Sequence, residues 1–155
     1  MMSAKRIFYT LLILLFTIPA FGATHTVTQS GGGTSCTSDG GTCSVVEFNA
    51  LGGTGYAGDT FNFSGSITSQ IDVDISGTSG NNVVLDGTSA TIDVNVGSTA
   101  EGSIKMTDER YLTLQNFTID GQQTTGESTD AGIGIVGTTS TDEHIIIDND
   151  REPTP

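Results

Sequence analysis

A five-residue pattern recurs along this chain and limits what the chain can fold into. The pattern is an apolar residue, any residue, a second apolar residue, Ser or Asp, and then Gly. It occurs at residues 61–65, 73–77, 83–87 and 117–121, and residues 145–149 fit if Asn149 replaces the glycine. Alternation with a period of two is typical of a strand, and the polar residue before Gly is typical of a turn. The pattern therefore predicts short strands, each followed by a turn whose last residue takes a positive φ.

Similar apolar alternations fill the chain from residue 59 onward, with hardly a stretch that could hold a helix of three turns. They are Phe61/Phe63, Ile71/Val73/Ile75, Val83/Leu85, Ile92/Val94/Val96, Ile104/Met106, Leu112/Leu114, Phe117/Ile119, Ile133/Ile135 and Ile145/Ile147. We expect these side chains to face a core and their polar neighbours to face solvent. Asp72, Asp74 and Asp93 are such neighbours, and they either flank a sugar as acid and base or form a solvated strand face. The sequence predicts an all-β protein.

Short strands at steps of about ten residues suit either a β-sandwich or a solenoid with three-sided coils. A sandwich predicts longer strands and dedicated hairpin turns, whereas here the strands span three to five residues and the turn motif repeats. Grouping the strands in threes starts successive coils near Phe61, Val83, Leu112 and Ile145, at steps of 22, 29 and 33 residues. The growing steps indicate insertions at turns, notably over residues 121–132. The pattern favours the solenoid.

The first 22 residues have the layout of a cleavable export signal. Lys5 and Arg6 precede an apolar run over residues 7–18, and Pro19 and Ala20 lead to Gly22, after which we expect cleavage. A membrane anchor is the alternative, but a spanning helix needs about 20 apolar residues and this run is shorter. The sequence thus predicts a secreted protein, extracellular or in a bacterial periplasm and at the cell surface, without stable membrane insertion after cleavage.

Loss of Lys5 and Arg6 leaves three basic residues against 18 acidic ones, a formal charge of −15. Such a chain is repelled by nucleic-acid phosphates and by anionic membranes, so we exclude nucleic acid as a partner. The acidity serves solubility or binds cations. Asp86, Asp120 and Asp148 occupy the same place in their repeats, so a solenoid stacks them in one column. Such a column either binds Ca²⁺ through its carboxylates or forms turns in which each Asp satisfies its own backbone.

Cys36 and Cys43 are the two cysteines of the chain and enclose a short segment with a Gly40-Gly41 turn. In an exported protein an even number of closely spaced cysteines predicts a disulfide. A two-cysteine metal site is the competing interpretation, but further cysteines are lacking, and His25 and His144 are distant in sequence.

Two stretches, residues 42–51 and 58–63, resemble the N-terminal signature of secreted pectate-lyase-like right-handed parallel β-helix proteins. Residues 80–87 and 111–121 resemble the ordinary coil repeats of that family, and the likeness covers most of residues 24–149. It implies a short helix that caps the solenoid. The expected organisation is a signal peptide at residues 1–22, a cap with the Cys36–Cys43 disulfide at 23–58, coils at 59–149 and a polar tail at 150–155.

The resemblance implies a relative of polysaccharide lyases or glycoside hydrolases, or alternatively a noncatalytic surface or adhesin-type protein, with a polysaccharide or cell-surface glycan as partner. A lyase of this kind needs a positive residue beside the substrate, and Lys105 and Arg110 match no catalytic motif of the family. Catalytic and carbohydrate-binding residues therefore stay unassigned. The last coil has no recognisable cap, so we expect an incomplete solenoid, an N-terminal part without a complete active site.

Overall fold

The computed structural model describes residues 22–31, 35–37, 40–94, 102–119, 132–136 and 144–148. Within these ranges lie ten strands and the helix α1 (Val45–Phe48). The strands are β1 (Thr24–Thr28), β2 (Thr42–Ser44), β3 (Thr60–Ile67), β4 (Ile71–Val73), β5 (Val83–Ile92), β6 (Ile104–Thr107), β7 (Leu112–Gln115), β8 (Thr118–Ile119), β9 (Ile133–Val136) and β10 (Ile145–Asp148). The all-β prediction is confirmed. Residues 1–21 of the predicted export signal and the polar tail lie outside the described residues.

The described strands form two parallel sheets. A seven-stranded sheet has the order β10-β7-β5-β3-β1-β2, with β8 also paired to β5, and a three-stranded sheet has the order β4-β6-β9. The pairings within both sheets are parallel. None of the helices in the described part of the chain has the length and apolar character needed to cross a membrane.

The long strands β3 and β5 divide the larger sheet into two ladders. Their pairing shifts between Asn62 and Ser64, because β5 has one more residue than β3 between Asp86 and Ser89 and forms a bulge there. Before the bulge, residues 60–63 pair with β1 and β5; after it, residues 64–67 pair with the second half of β5. We call the stack of residues 24–27, 60–63, 83–86, 112–115 and 145–148 the first ladder, and the stack of 64–67, 89–92 and 118–119 the second ladder. The third ladder is the three-stranded sheet.

The register within the first ladder tests the predicted repeat directly. Val83 pairs with Leu112 and Leu112 pairs with Ile145, so the predicted steps of 29 and 33 residues are confirmed. The first step is wrong by two residues, because Phe61 pairs with Leu85 rather than with Val83. A shift of two residues keeps every side chain on its predicted face, so apolar alternation alone does not distinguish the two registers.

The core lies between the ladders and consists of side chains from the predicted inward positions. The largest fully buried side chains are Phe48, Phe61, Phe63, Ile67, Ile71, Ile75, Leu85, Ile92, Ile104, Met106, Leu112 and Leu114. In contrast, Ile135 and Ile147 are 46% and 52% exposed. They lie on β9 and β10, which are the last described strands of their sheets, so no described strand packs beyond them.

Helix α1 packs against the N-terminal end of this core. Ser44 and Glu47 form a reciprocal capping box, which satisfies backbone N–H groups that begin the helix. The Phe48 ring contacts the edges of Phe61 and Phe63, at centroid distances of 5.1 and 5.2 Å. The predicted short helix is thus present, and the segment predicted as a cap also supplies β1 and β2.

The two cysteines form the predicted disulfide, and both are fully buried. The bond joins β2 to the loop that precedes it, close to helix α1. Because both thiols are consumed in the bond, the competing two-cysteine metal site is wrong.

Side-chain amides cover strand edges at this end of the molecule. The Asn49 amide donates to the Gln70 carbonyl at 2.9 Å and accepts from the Asp72 N–H at 3.1 Å, as a neighbouring strand would. The side-chain oxygen of Gln29, Oε1, accepts from the backbone N–H groups of Thr68 and Ser69. These contacts satisfy backbone groups that an open sheet edge would leave unpaired.

The glycines of the repeated pattern have two different roles. Gly65 has a φ of +80°, as predicted, but Gly77 and Gly87 do not belong to the positive-φ glycines. A Cβ on Gly87 would lie 2.5 Å from the Phe117 ring, and one on Gly77 would lie 2.4 Å from the Tyr111 carbonyl oxygen. The predicted positive φ is wrong at these two positions, where close approach of other segments of the chain requires glycine instead.

Candidate functional site

A row of polar side chains runs across the outer face of the first ladder. Thr26, Asn62, Asp86, Gln115 and Asp148 occupy equivalent positions on β1, β3, β5, β7 and β10. Neighbouring strands lie about 4.8 Å apart, so the row offers a polar group at each such interval. The row is a direct consequence of in-register stacking of alternating strands.

A groove of about 280 Å³ lies beside this row, where the first ladder bends into the second. We call it the outer groove. Its lining residues are Thr26, Asn62, Phe63, Ser64, Asp86, Thr88 and Ser89. Hydroxyl groups, an amide and a carboxylate dominate this lining, so the groove offers hydrogen-bond donors and acceptors together.

Asp86 is held in place by neighbours on two strands. Its Oδ1 accepts from the backbone N–H of Thr88 at 2.8 Å and from the Thr88 hydroxyl at 2.5 Å. Gln115 donates to Oδ2 at 2.8 Å, and Asn116 donates to Oδ1 at 3.3 Å. The predicted turn in which Asp86 satisfies its own backbone is therefore confirmed, and the contacts from Gln115 and Asn116 fix the carboxylate further.

These hydrogen bonds determine the charge of Asp86. Desolvation is the largest single influence and raises the pKa of the carboxyl. The hydrogen bonds from Thr88, Gln115 and Asn116 act in the opposite direction and together bring the pKa below its ordinary value. Asp86 is therefore a carboxylate at neutral pH and accepts hydrogen bonds rather than donating a proton.

The predicted calcium column is only partly within the described residues. Asp86 and Asp148 belong to the same row but Gln115 lies between them, and Asp120 lies outside the described residues. Two strand steps separate the strands of Asp86 and Asp148, or about 10 Å. The described part of the chain contains no group of three His, Cys, Asp or Glu residues arranged to hold a metal. Calcium binding stays a prediction.

A second polar cluster lies at the turn after β6. Ser76, which is 6% exposed, donates a hydrogen bond through its hydroxyl to the Glu109 carboxylate. The same hydroxyl accepts from the backbone N–H of Arg110 at 3.1 Å. Asp74 and Asp108 are close enough to act electrostatically on Glu109. We call Asp74, Ser76, Asp108, Glu109 and Arg110 the Glu109 cluster.

Glu109 holds its proton more firmly than an ordinary glutamate. Desolvation is the largest cause and raises its pKa, and the negative charges of Asp74 and Asp108 raise it further. The Ser76 hydrogen bond and the charge of Arg110 lower the pKa but do not cancel these effects. A carboxyl whose pKa is raised by burial and by neighbouring carboxylates is a feature of acid–base sites.

The structure separates the other charged residues that the sequence singled out. Asp72 and Lys105 pair in register within the third ladder, away from the outer groove. Asp93 follows β5, where its N–H donates to the Ile67 carbonyl at 2.8 Å. Of the predicted outward acids, Asp74 alone belongs to the Glu109 cluster, and Arg110 belongs to it from the turn after β6.

Sequence reasoning missed Glu109, Ser76, Asn62 and Gln115 as candidate site residues. Ser76 and Glu109 are 33 residues apart, and the parallel pairing of β4 with β6 brings the turns that follow these strands together. Asn62 and Gln115 could have been found from the sequence, because each is an outward-facing residue of an alternating strand, as Asp86 is in β5.

Another cavity, of about 270 Å³, lies at the last described strands. Its lining residues are Leu114, Gln115, Phe117, Ile119, Ile133, Ile147 and Asp148. The lining is mainly apolar and continues the core, so it offers fewer polar groups than the outer groove.

Searches against protein-family models, curated proteins and solved structures give no match to this chain.

Proposed function

We propose that this chain is an exported right-handed parallel β-helix that binds a polysaccharide in its outer groove. The order in which the chain visits the ladders supports the helical coil. β3 passes through the first and second ladders and β4 through the third, and β5 and β6 repeat this order one coil later. Parallel strands joined in this way nearly always turn in a right-handed sense.

The single observation that carries the binding proposal is the polar row across the first ladder. A polysaccharide presents hydroxyl groups at a regular interval, and the row presents hydrogen-bonding groups at every strand. The Asp86 carboxylate is fixed by Thr88, Gln115 and Asn116, and its Oδ2, which accepts from Gln115 alone among the described residues, is a preorganised acceptor for one sugar hydroxyl. Preorganisation lowers the entropic cost of binding.

Charge favours a neutral glycan over an acidic one. The processed chain has a formal charge of −15, and Asp86 and Asp148 belong to the row itself. A uronate or sulfate group would meet carboxylates there, and like charges at close range are unfavourable. A neutral polysaccharide loses nothing to this repulsion and gains the hydrogen bonds. This supports the noncatalytic surface protein over a lyase that acts on acidic polysaccharides.

Calorimetric titration of the disulfide-bonded chain with neutral and acidic oligosaccharides tests the proposal. We expect binding to neutral glycans only, and Asp86→Asn and Asn62→Ala to weaken it about tenfold, the effect of one lost charge-assisted hydrogen bond. Asp93→Asn removes the same charge outside the groove and should bind normally. Unchanged melting temperatures would show that the variants are folded. Equal binding by all variants, or preference for uronates, contradicts the proposal.

Glycosidic hydrolysis is a second candidate function, which the raised pKa of Glu109 favours. In this reaction Glu109 gives its proton to the leaving oxygen, while a carboxylate such as Asp74 takes a proton from the water that attacks the anomeric carbon. We expect Glu109→Gln to abolish release of reducing ends and Asp93→Asn to preserve it. Absence of reducing ends from every neutral and acidic glycan tested excludes this candidate and leaves binding as the function.

A further inference from the structure

The backbone N–H of Ala23 lies in an unusual place for a residue so near a cleavage site. It donates to Asp59 Oδ1 at 2.8 Å, and Asp59 Oδ2 lies 3.2 Å from His25 Nε2. The Asp59 side chain is 15% exposed and that of His25 is 2% exposed. Both oxygens of a largely buried carboxylate are therefore directed at the first residues of the predicted mature chain.

Ala23 is fixed from its other side as well. Its carbonyl accepts from the Thr60 N–H at 2.8 Å, which begins the pairing of β1 with β3. Gly22 lies against the chain at Gly58, where a Cβ on residue 22 would be 1.7 Å from the Gly58 carbonyl oxygen. Thus the fold accepts only glycine at position 22, and it holds the nitrogen of Ala23 at Asp59.

The buried surroundings of Asp59 supply little positive charge before cleavage. The ring of His25 is stacked on Phe61 at 4.6 Å, and its buried Nδ1 has no hydrogen-bond partner. A neutral imidazole that donates from Nε2 to Asp59 leaves no buried N–H unpaired. The Lys and Arg side chains of the described residues are Lys105 and Arg110, which belong to the third ladder and to the turn that follows it.

We propose that removal of the export signal creates a partly buried ion pair between the new α-ammonium group of Ala23 and the Asp59 carboxylate. This inference depends on the proposed export. Water hydrolyses the Gly22–Ala23 peptide bond, so the leader leaves with the Gly22 carboxylate and Ala23 gains an amine. That amine is protonated at neutral pH, because free α-amino groups titrate near about 8. One neutral N–H donor thereby becomes a cation with three donors, beside a carboxylate that has little other compensation.

Processing therefore stabilises the first coil at the moment of export. The precursor has one hydrogen bond from a neutral amide to the Asp59 carboxylate, whereas in the processed chain both partners carry a charge, so Coulombic attraction adds to the hydrogen bond. The titratable side chain of the pair is Asp59, and its titratable neighbour is His25, whose Nε2 lies 3.2 Å from Asp59 Oδ2. The Ala23–Asp59 pair thus links removal of the export signal to the stability of the folded chain.

The test compares mature chains that differ only at the amine. Cys36 permits ligation of a synthetic segment, residues 23–35, to residues 36–155, so that Ala23 carries either a free or an acetylated nitrogen. After the disulfide forms, we expect acetylation to lower the folded-to-unfolded ratio about tenfold in denaturant titrations at neutral pH. The same acetylation in an Asp59→Asn chain should change the ratio less than twofold. Equal effects in both backgrounds overturn the proposal.

Two further measurements remain decisive if Asp59→Asn does not fold. In the unsubstituted chain, NMR titration of the Ala23 amine should give a value above the range of about 7.7–8.0 found for free α-amino groups. A value within or below that range overturns the ion pair. N-terminal sequencing of the exported protein should begin at Ala23, and a different first residue overturns it too. Neither result depends on whether the outer groove binds a glycan.

Discussion

Replacement of Phe61 by alanine should destabilise the protein by about 3–5 kcal/mol, the usual cost of removing a buried phenylalanine ring. Phe61 is fully buried and stacks between His25 and Leu85 in the first ladder. Its ring also meets Phe48 at 5.1 Å and Tyr56 at 5.9 Å. The substitution therefore leaves a cavity between helix α1 and the first ladder. The rigid aromatic neighbours limit how far the surrounding side chains can move in to fill it.

Chemical denaturation followed by far-UV circular dichroism measures this effect, since the chain contains no Trp. Val46→Ala is the matched control, because Val46 lies on helix α1 but is 70% exposed. We expect it to change the free energy of unfolding by less than about 0.5 kcal/mol. A decrease of less than about 1 kcal/mol in the free energy of unfolding of Phe61→Ala would contradict the packing of helix α1 against the first ladder.

The core was predictable because it depends on a pattern that one strand carries by itself. Alternation identified Phe61, Leu85 and Leu114 as inward residues, and stacking adds them into one column. The lengths of the strands were less predictable. β3 continues past its turn motif, since Gly65 takes a positive φ without ending the pairing, and β5 continues past Gly87, which does not take a positive φ.

The candidate sites were less predictable, because they are made by contacts between segments distant in sequence. Asp86 was visible as a turn residue, but its hydrogen bonds from Gln115 and Asn116 come from the end of β7, about 30 residues later. The Ser76–Glu109 contact likewise joins two turn segments that are 33 residues apart. A local motif reports what a residue does to its own backbone, and it carries no information about which residue stacks above it.

The local motif also did not reveal why the repeat needs glycine at position 77. Replacement of this glycine is the second substitution for which we expect a large loss of stability. Gly77→Ala should cost about 3 kcal/mol, because the new methyl group would meet backbone rather than mobile side chains. Its Cβ would lie 2.4 Å from the Tyr111 carbonyl oxygen and 2.7 Å from that of Asn81. The Tyr111 carbonyl also accepts from the Val83 N–H at 3.0 Å, so its displacement disturbs the pairing of β5 with β7.

Gly55→Ala is the matched control for this substitution. A Cβ on Gly55 meets nothing within 4 Å, and Gly55 does not belong to the positive-φ glycines. Its replacement should leave stability unchanged or raise it by up to about 1 kcal/mol, through a less flexible unfolded chain. Thermal and denaturant unfolding of both variants therefore separates the effect of close backbone approach from a general need for glycine. If Gly77→Ala unfolded like Gly55→Ala, the backbone at Tyr111 would not lie as close to Gly77 as the structure has it.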